Sequence, residues 1–374
     1  MGLTRYKLGE LIEQSTANNR DLVYGIEKIV GVSSEGVFTT PKGDPLDVDL
    51  KPYKIVKNGA FVYTPTRVNL GSIAYRTQGL CIVSHLYVVF YLTDKGKKVI
   101  DPIWLYMYLR RKEFGREIDF RLFGSARPEF SYRDMADISI TLPDIEYQRR
   151  FISVFNALND NLAVYQSKAD ELKIVCDGYI DGLKHSYPLH KIQEYIEVCD
   201  ERNSDGKFTL DSLRGISIQK SFIGSKADME GVSLTPYLIV RPESFVFVPV
   251  TSRNGEKITL AINDTKESFI VSSSYVVFRV RNGAPLLPEY LFMFFSRPEF
   301  DRYARFNSWG SAREVFTMDD MNEVSIPIPD VATQIQIVNI HKCYLERQRI
   351  ANCLKEQIKA IGPVLIKGSL ETAN

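Results

Sequence analysis

The chain has 374 residues, too many for one small core and enough for two domains with connectors. Apolar residues make up 44% and charged residues 25%, the proportions of a globular chain rather than a disordered or fibrous one. A net charge of +1 excludes a global polycation, so any nucleic-acid binding must come from local basic clusters.

The chain opens on a short amphipathic helix or strand carrying Leu8, Leu11 and Ile12. Apolar runs such as "AFVYT" follow and read as half-buried strands. "CIVSHLYVVFYL" reads as further strand, rich in Val, with His85 expected as a satisfied core residue. "IDPIWLYMYLRR" reads as a helix with Pro102 in its first turn. A Gly-Ser-Ala-Arg loop comes next, then a last strand, "DISITLPD", ended by Pro143-Asp144.

A long helix should then begin near Asp144. Phe151, Phe155, Leu158, Leu162, Tyr165, Ala169, Leu172, Cys176, Tyr179 and Leu183 recur at alternating spacings of four and three, a heptad seam. The second half repeats the programme. Ile192, Tyr195 and Ile196 open it, "SFVFVPV" and "FIVSSSYVVFRV" supply strands, and "LLPEYLFMFFSR" supplies a helix. A second seam runs through Ile340, Tyr344, Arg347, Ala351, Leu354, Ile358, Ile361 and Leu365, with Gly362-Pro363 expected to kink or end it. Two such seams satisfy each other most simply as an antiparallel pair.

The repetition is a duplication. "GSARPEFSYRDMADISITLPDIEYQ" (124–148) and "GSAREVFTMDDMNEVSIPIPDVATQ" (310–334) agree at 12 of 25 positions without a gap. "LYVVFYL" answers "SYVVFRV", and "YKIVKNGAFVY" answers "YLIVRPESFVF", in the same order. The expected fold is therefore α+β: two tandem homologous domains, with long helices pairing as an antiparallel coiled coil in a pseudo-two-fold arrangement. The expected boundaries are 1–143 and 187–329 for the domains, and 144–186 and 330–374 for the helices.

No apolar run approaches the ~20 residues that cross a bilayer, and the N-terminus lacks an apolar signal region. The five cysteines form no C-x-x-C pair, so they read as core fillers in a reducing cytoplasm rather than a metal site. Phosphate-cradling loops and hydrolase or zinc-protease motifs are absent from the sequence. One loose nuclease-like pattern exists, Pro143-Asp144 with Glu171-Leu172-Lys173, but its two acids belong to opposite parts of one long helix.

Basic residues interleaved with aromatics are the better lead. Arg110 to Arg133 carries Phe114, Phe120 and Phe123 among its arginines, and the second copy has Arg297, Arg302, Arg305 and Arg313 with Phe300, Tyr303, Phe306 and Trp309. Arginine supplies phosphate contacts and reads guanine in the major groove. The candidate DNA-binding residues are Lys42, Arg67, Arg76, Arg121, Ser125, Arg127, Lys220, Lys226, Arg253, Lys257, Arg305, Ser311 and Arg313. For Arg127 and Arg313 the alternative is a local turn in which each arginine pins Asp134 or Asp320. The candidate helix-pairing residues are Phe155, Leu158, Leu162, Tyr165, Leu172, Tyr179, Leu183, Tyr344, Leu354, Ile358 and Ile361.

The strand–Pro-Asp–Gln–long-helix segment, present twice, resembles the specificity subunit of type I restriction-modification enzymes. "IPIPDVATQ" fits the family pattern, and "ITLPDIEYQ" lacks its first proline. The resemblance implies a non-catalytic subunit in which each domain reads one half of a bipartite site on double-stranded DNA. The helices would fix the gap and dock two methyltransferase subunits, which use S-adenosylmethionine to methylate adenine at N6. Restriction subunits would bring ATP and Mg, and this chain itself would hold no cofactor or metal and meet no membrane. The competing readings are a stand-alone DNA-binding nuclease and a coiled-coil scaffold that never touches DNA.

Overall fold

The computed structural model describes residues 2–41, 48–123, 129–225, 231–251, 257–311 and 313–371. Two compact units emerge, 1–164 with 351–374, and 165–350. Each contains half of each long helix.

The first unit begins with β1 (Thr4–Lys7), β2 (Ile12–Gln14), β3 (Gly31–Val32), β4 (Phe38–Thr39), β5 (Lys54–Val56), β6 (Phe61–Tyr63), β7 (Ile73–Tyr75), β8 (Cys81–Val83) and β9 (Val88–Leu92). Then come α1 (Asp94–Val99), α2 (Pro102–Leu109), α3 (Lys112–Arg121), α4 (Tyr132–Ala136), β10 (Ser139–Leu142) and α5 (Ile145–Ser186). A four-stranded sheet has the order β2-β9-β6-β7, and three two-stranded ladders, β1-β10, β3-β4 and β5-β8, surround it. All pairings are antiparallel.

The second unit repeats this order. Its strands are β11 (Leu189–Lys191), β12 (Ile196–Cys199), β13 (Arg214–Ile216), β14 (Phe222–Gly224), β15 (Leu238–Val240), β16 (Phe245–Phe247), β17 (Leu260–Ile262), β18 (Phe269–Val271) and β19 (Val276–Val280). They are followed by α6 (Pro288–Phe295), α7 (Pro298–Phe306), α8 (Met318–Asn322), β20 (Ser325–Pro327) and α9 (Val331–Glu371). The sheet order is β12-β19-β16-β17, with ladders β11-β20, β13-β14 and β15-β18. The duplication thus extends to strand pairing, although α1 has no described counterpart.

The cores explain the shared pattern. Phe61 lies opposite Phe90 with ring centroids 5.0 Å apart, and Phe245 lies opposite Phe278 at 5.0 Å, each pair stacked across the central strands. Trp104 and Tyr290 occupy the same point of α2 and α6, both fully buried. Each fully buried aromatic contributes about 1.5–3 kcal/mol of transfer free energy. The repeated phenylalanines after the Gly-Ser-Ala-Arg loop, Phe130 and Phe316, are also fully buried. Their amides donate to Pro65 (3.1 Å) and Pro249 (2.9 Å).

The long helices pair antiparallel inside each unit. In the second, Glu171 of α5 meets the field of Arg347 on α9, while Asp177 acts on His341. In the first, the ring of Phe151 closes on Gly368, where a Cβ would lie 3.2 Å from it. Phe155, Leu158, Leu162, Tyr165, Leu172, Tyr344, Leu354, Ile358 and Ile361 are all half-buried, and Leu183 is buried.

Several sequence expectations are corrected. Tyr179 is 50% exposed, and Ile180 takes its seam position at 0%. Likewise Ile152 is more buried than Phe151. A straight helix drifts by about 20° per heptad relative to a 3.5-residue repeat, and at its ends the apolar stripe turns toward a globular core. Gly362-Pro363 does not end α9, which continues to Glu371 because Ile366 and Ser369 are fully buried in the first unit. His85 is exposed in the turn between β8 and β9, not in a strand. Only Cys81 and Cys176 are buried, and Cys343 and Cys353 are exposed on α9.

Two predictions follow from buried polar groups. The Tyr63 hydroxyl is buried with no hydrogen-bond partner among the described residues, and burial pushes its phenol pKa up. The aligned residue of the second unit is Phe247, which carries no hydroxyl. Tyr63→Phe should therefore raise stability by about 1 kcal/mol in urea unfolding; a loss would show that the hydroxyl is engaged.

His341 is buried, and desolvation lowers its pKa from 6.5 to about 4, with Lys173 adding to the effect and Asp177 opposing it. The unfolded chain therefore binds the extra proton first, and stability should fall as pH drops from about 6.5 to 4, by up to about 3 kcal/mol. His341→Phe should flatten that part of the pH–stability curve.

Candidate nucleic-acid interface

The repeated loop sits on a scaffold that each unit builds alike. Ser131 and Thr317 cap α4 and α8, accepting from the amides of Asp134 and Asp320 at 3.2 Å. The two aspartates reach back to the amides of Ser131 and Thr317 at 2.9 and 2.7 Å. This reciprocal capping box occupies Asp320, which Arg313 does not contact. The local-turn alternative is therefore not what the second unit forms.

In the second unit the loop is a closed tip. Trp309 and Val315 exchange backbone hydrogen bonds of 3.1 and 2.9 Å, and the Thr251 amide donates to Glu314 at 2.9 Å. Gly310 has φ +140°, and a Cβ there would meet the Arg313 carbonyl at 2.1 Å, so only glycine fits. Arg305 pairs with Glu314 beneath the tip. Ser311 and Arg313 are exposed, and Arg313 makes no ion pair among the described residues.

Exposed aromatics flank the loop in both units. Phe120 and Phe123 are 83% and 91% exposed, and Phe306 and Trp309 are 78% and 69% exposed. The pairs occupy matching positions, 186 residues apart, at the ends of α3 and α7. The sequence showed these aromatics among the arginines but did not distinguish them from core residues such as Phe114 and Phe300. The constant offset could have paired them, whereas exposure could not be read.

The remaining candidates separate by environment. Arg67 and Lys257 are exposed and make no ion pair among the described residues. Lys257 adjoins Ile258, whose amide donates to Asp301 on α7 at 3.2 Å. Arg133, absent from the candidate set, is also exposed on α4. Arg121 is held by Glu117 at 3.0 Å, with Asp137 at 3.8 Å. Arg76 is half-buried, its guanidinium 5.2 Å from the Phe38 ring centroid. Lys42, Ser125, Arg127, Lys226 and Arg253 lie outside the described residues.

Lys220 is a correction, because it is buried rather than presented to solvent. Its ammonium sits 2.8 Å from Asp301 and donates to the Phe295 carbonyl, and desolvation lowers its pKa against the pull of Asp301. It adopts φ +60° in the β13–β14 turn, where the equivalent turn of β3–β4 has Gly36 at φ +75°. In the first unit the cation comes from the other side: Arg110 reaches the Gly71 carbonyl at 3.3 Å, and Tyr106 donates to Gly36. Each unit ties its hairpin to its helices, the first through the Tyr106 hydroxyl on Gly36 and the second through the Lys220 ammonium.

The nuclease-like residues are engaged locally. Asp144 accepts from the Glu146 amide at 2.9 Å, Glu171 pairs with Lys168 at 2.8 Å, and Lys173 pairs with Asp177 at 2.7 Å. No group of three or more metal-capable side chains occurs among the described residues. No helix among them is long and apolar enough to cross a membrane.

The family model for the type I restriction modification DNA specificity domain matches residues 244–360. This part of the chain is similar to a type I restriction-modification specificity domain. That span takes in β16 to β20, the loop tip and much of α9. Among solved structures the chain is similar to a type I restriction-modification system S subunit from M. genitalium, with 11% identity and a TM-score of 0.59 over 99% of this chain and 96% of that one. At that identity the likeness is one of fold. A chain from a structure of the type I R-M system has 15% identity and a TM-score of 0.46 over 98% and 97% of the two chains. The HsdS subunit from Thermoanaerobacter tengcongensis has 15% identity and a TM-score of 0.37 over 98% and 96%. No curated protein matches.

The second unit's buried ion pair, Lys220 with Asp301, yields a prediction. Asp301→Asn would leave the Lys220 ammonium buried without its counter-charge, and should cost about 3–5 kcal/mol in urea unfolding. Lys220→Met with Asp301→Leu should cost far less, because no buried charge remains.

Proposed function

We propose that this chain is the DNA-specificity subunit of a type I restriction-modification complex. Each unit reads one half of a bipartite site, and the paired helices set the gap and dock two methyltransferase subunits. Those subunits supply S-adenosylmethionine and methylate adenine at N6. Restriction subunits supply ATP- and Mg-dependent cleavage, and the chain contributes no catalytic group of its own. The complex works in the cytoplasm.

One observation carries this reading: a shared strand order with exposed aromatics at matching positions, Phe120 and Phe123 against Phe306 and Trp309, and connecting loops that differ in sequence. "TPTRVNLGSIAYR" in the first unit stands against "TSRNGEK" in the second. A constant scaffold with variable loops is how one fold reads two different sequences. The match over 244–360 supports it.

The deciding experiment exchanges one unit for that of a related chain and maps methylated adenines by long-read sequencing. Half of the methylated motif should change and the other half persist. An unchanged motif would sink the proposal.

At residue level, Arg313→Ala should weaken DNA binding by the assembled complex across all sequences and reduce its salt slope by about one. Replacing Phe306 and Trp309 together by Ala should weaken binding without changing the slope. Titrations at several salt concentrations distinguish the two. Unaltered binding in both variants would favour the scaffold alternative.

A further inference from the structure

Gln148 and Gln334 are the last identities of the repeated segment, and the structure gives both the same buried environment. Each side chain is fully buried at the root of a long helix, four residues after the aspartate whose carbonyl its amide bonds. The Gln148 amide donates to the Val99 carbonyl (2.8 Å) and the Pro143 carbonyl (2.9 Å), and accepts from the Asp101 amide (3.0 Å). The Gln334 amide donates to the Pro285 carbonyl (2.8 Å) and the Pro329 carbonyl (2.8 Å), and accepts from the Leu287 amide (2.8 Å). Three backbone groups from two places, the residues just after the last strand and the short segment that leads into α2 or α6, thus converge on one side chain.

We propose that Gln148 and Gln334 are positioning residues that fix the angle between each recognition domain and its own long helix, and so set how strictly the complex measures the gap between half-sites. The inference rests on the reading of the helices as a ruler. Its magnitude is set by leverage. A helix arm of about 20 residues is about 30 Å long, so a swing of about 6° at its root moves its far end by about 3 Å, close to one base-pair step. Distinguishing one gap from the next therefore requires a root held to a few degrees. A primary amide suits the task because it has two donors and an acceptor in one plane. Glutamate would point an oxygen at two carbonyls, asparagine is one methylene too short, and methionine fills the space without hydrogen bonds.

The test uses the full complex with its methyltransferase subunits and a set of DNAs carrying both half-sites at the native gap and at one base pair more or less. Wild type should methylate the native gap only. Gln148→Met and Gln334→Met should each narrow the ratio of native to shifted rates by about tenfold or more, while a changed base in either half-site still abolishes methylation. A thermal melt checks that the variants are folded at the assay temperature. Should they not fold, Gln334→Asn, which keeps a polar group in the cavity, takes their place. Folded variants as strict about the gap as wild type overturn the proposal. A wild type indifferent to the gap would sink the ruler reading itself, an outcome that differs from failure of the clasp alone.

Discussion

A long helix leaving a small domain has one weak point, its first turn, where the amides lack helical partners and the chain can hinge. Here Asp144 and Asp330 accept from amides of that turn, those of Glu146 and Thr333, and the buried Gln148 and Gln334 side chains tie the turn to its unit, so that other parts take their position from it. Gln148 binds the Asp101 amide at the start of α2, and α2 leads directly into α3, which ends at Phe120 and Phe123. Gln334 binds the Leu287 amide at the start of α6, which leads into α7 and the Trp309 tip. The candidate interface and the helix root therefore share one anchor. Leaving these groups unpaired inside the core would cost about 1–3 kcal/mol for each.

Beyond that anchor the copies hold their helices differently. The first unit joins the Trp104 indole to Ser369 at 3.0 Å and draws Lys355 and Lys359 toward Glu35. The second buries Arg297, which reaches Asp181 at 2.6 Å and Asp177 at 3.4 Å. Burial alone would raise the Asp181 carboxyl, but Arg297 and Lys184 more than offset it and hold its pKa below the usual value. At the positions of α9 equivalent to Asp177 and Asp181 stand Pro363 and Lys367. Proline offers Arg297 no acceptor and lysine would repel it, so the two contacts are not interchangeable. Exposed pairs such as Glu35 with Lys355 add little stability, whereas a buried arginine without its carboxylates would be costly. The divergence therefore selects between helices more than it strengthens either contact.

Much of this architecture was legible because it is periodic or repeated. The heptads of α5, the proline-led α2 and α6 and the duplicated strands all leave regular patterns. What escaped was decided by three-dimensional context. Tyr179 and Ile180 are adjacent and both apolar, and only helical drift determines which one faces inward. Pro363 has every local reason to end a helix, and tertiary burial of Ile366 overrides it. Lys220 reads as a loop cation until Asp301, 81 residues away in sequence, is seen beside it. The capping boxes at Ser131 and Thr317 were visible in principle as S/T-x-x-D, but they were overshadowed by the arginines that precede them.

The electrostatics of the candidate interface agree with the balanced charge of the whole chain. Arg121 and Arg305 are neutralised by Glu117 and Glu314, and Lys220 is consumed by the core. Among the described residues, the exposed cations left without an ion pair near the tips or in the flanking loops include Arg67, Arg133, Lys257 and Arg313. Each phosphate contact contributes about 0.9 to the salt slope, and strong stand-alone binders make about 6–10 of them. Each of these four that meets a phosphate in the proposed complex would add about that much to its slope. In the proposed complex the partner subunits would share the grip on the backbone, while the exposed aromatics and the divergent loops decide where it closes.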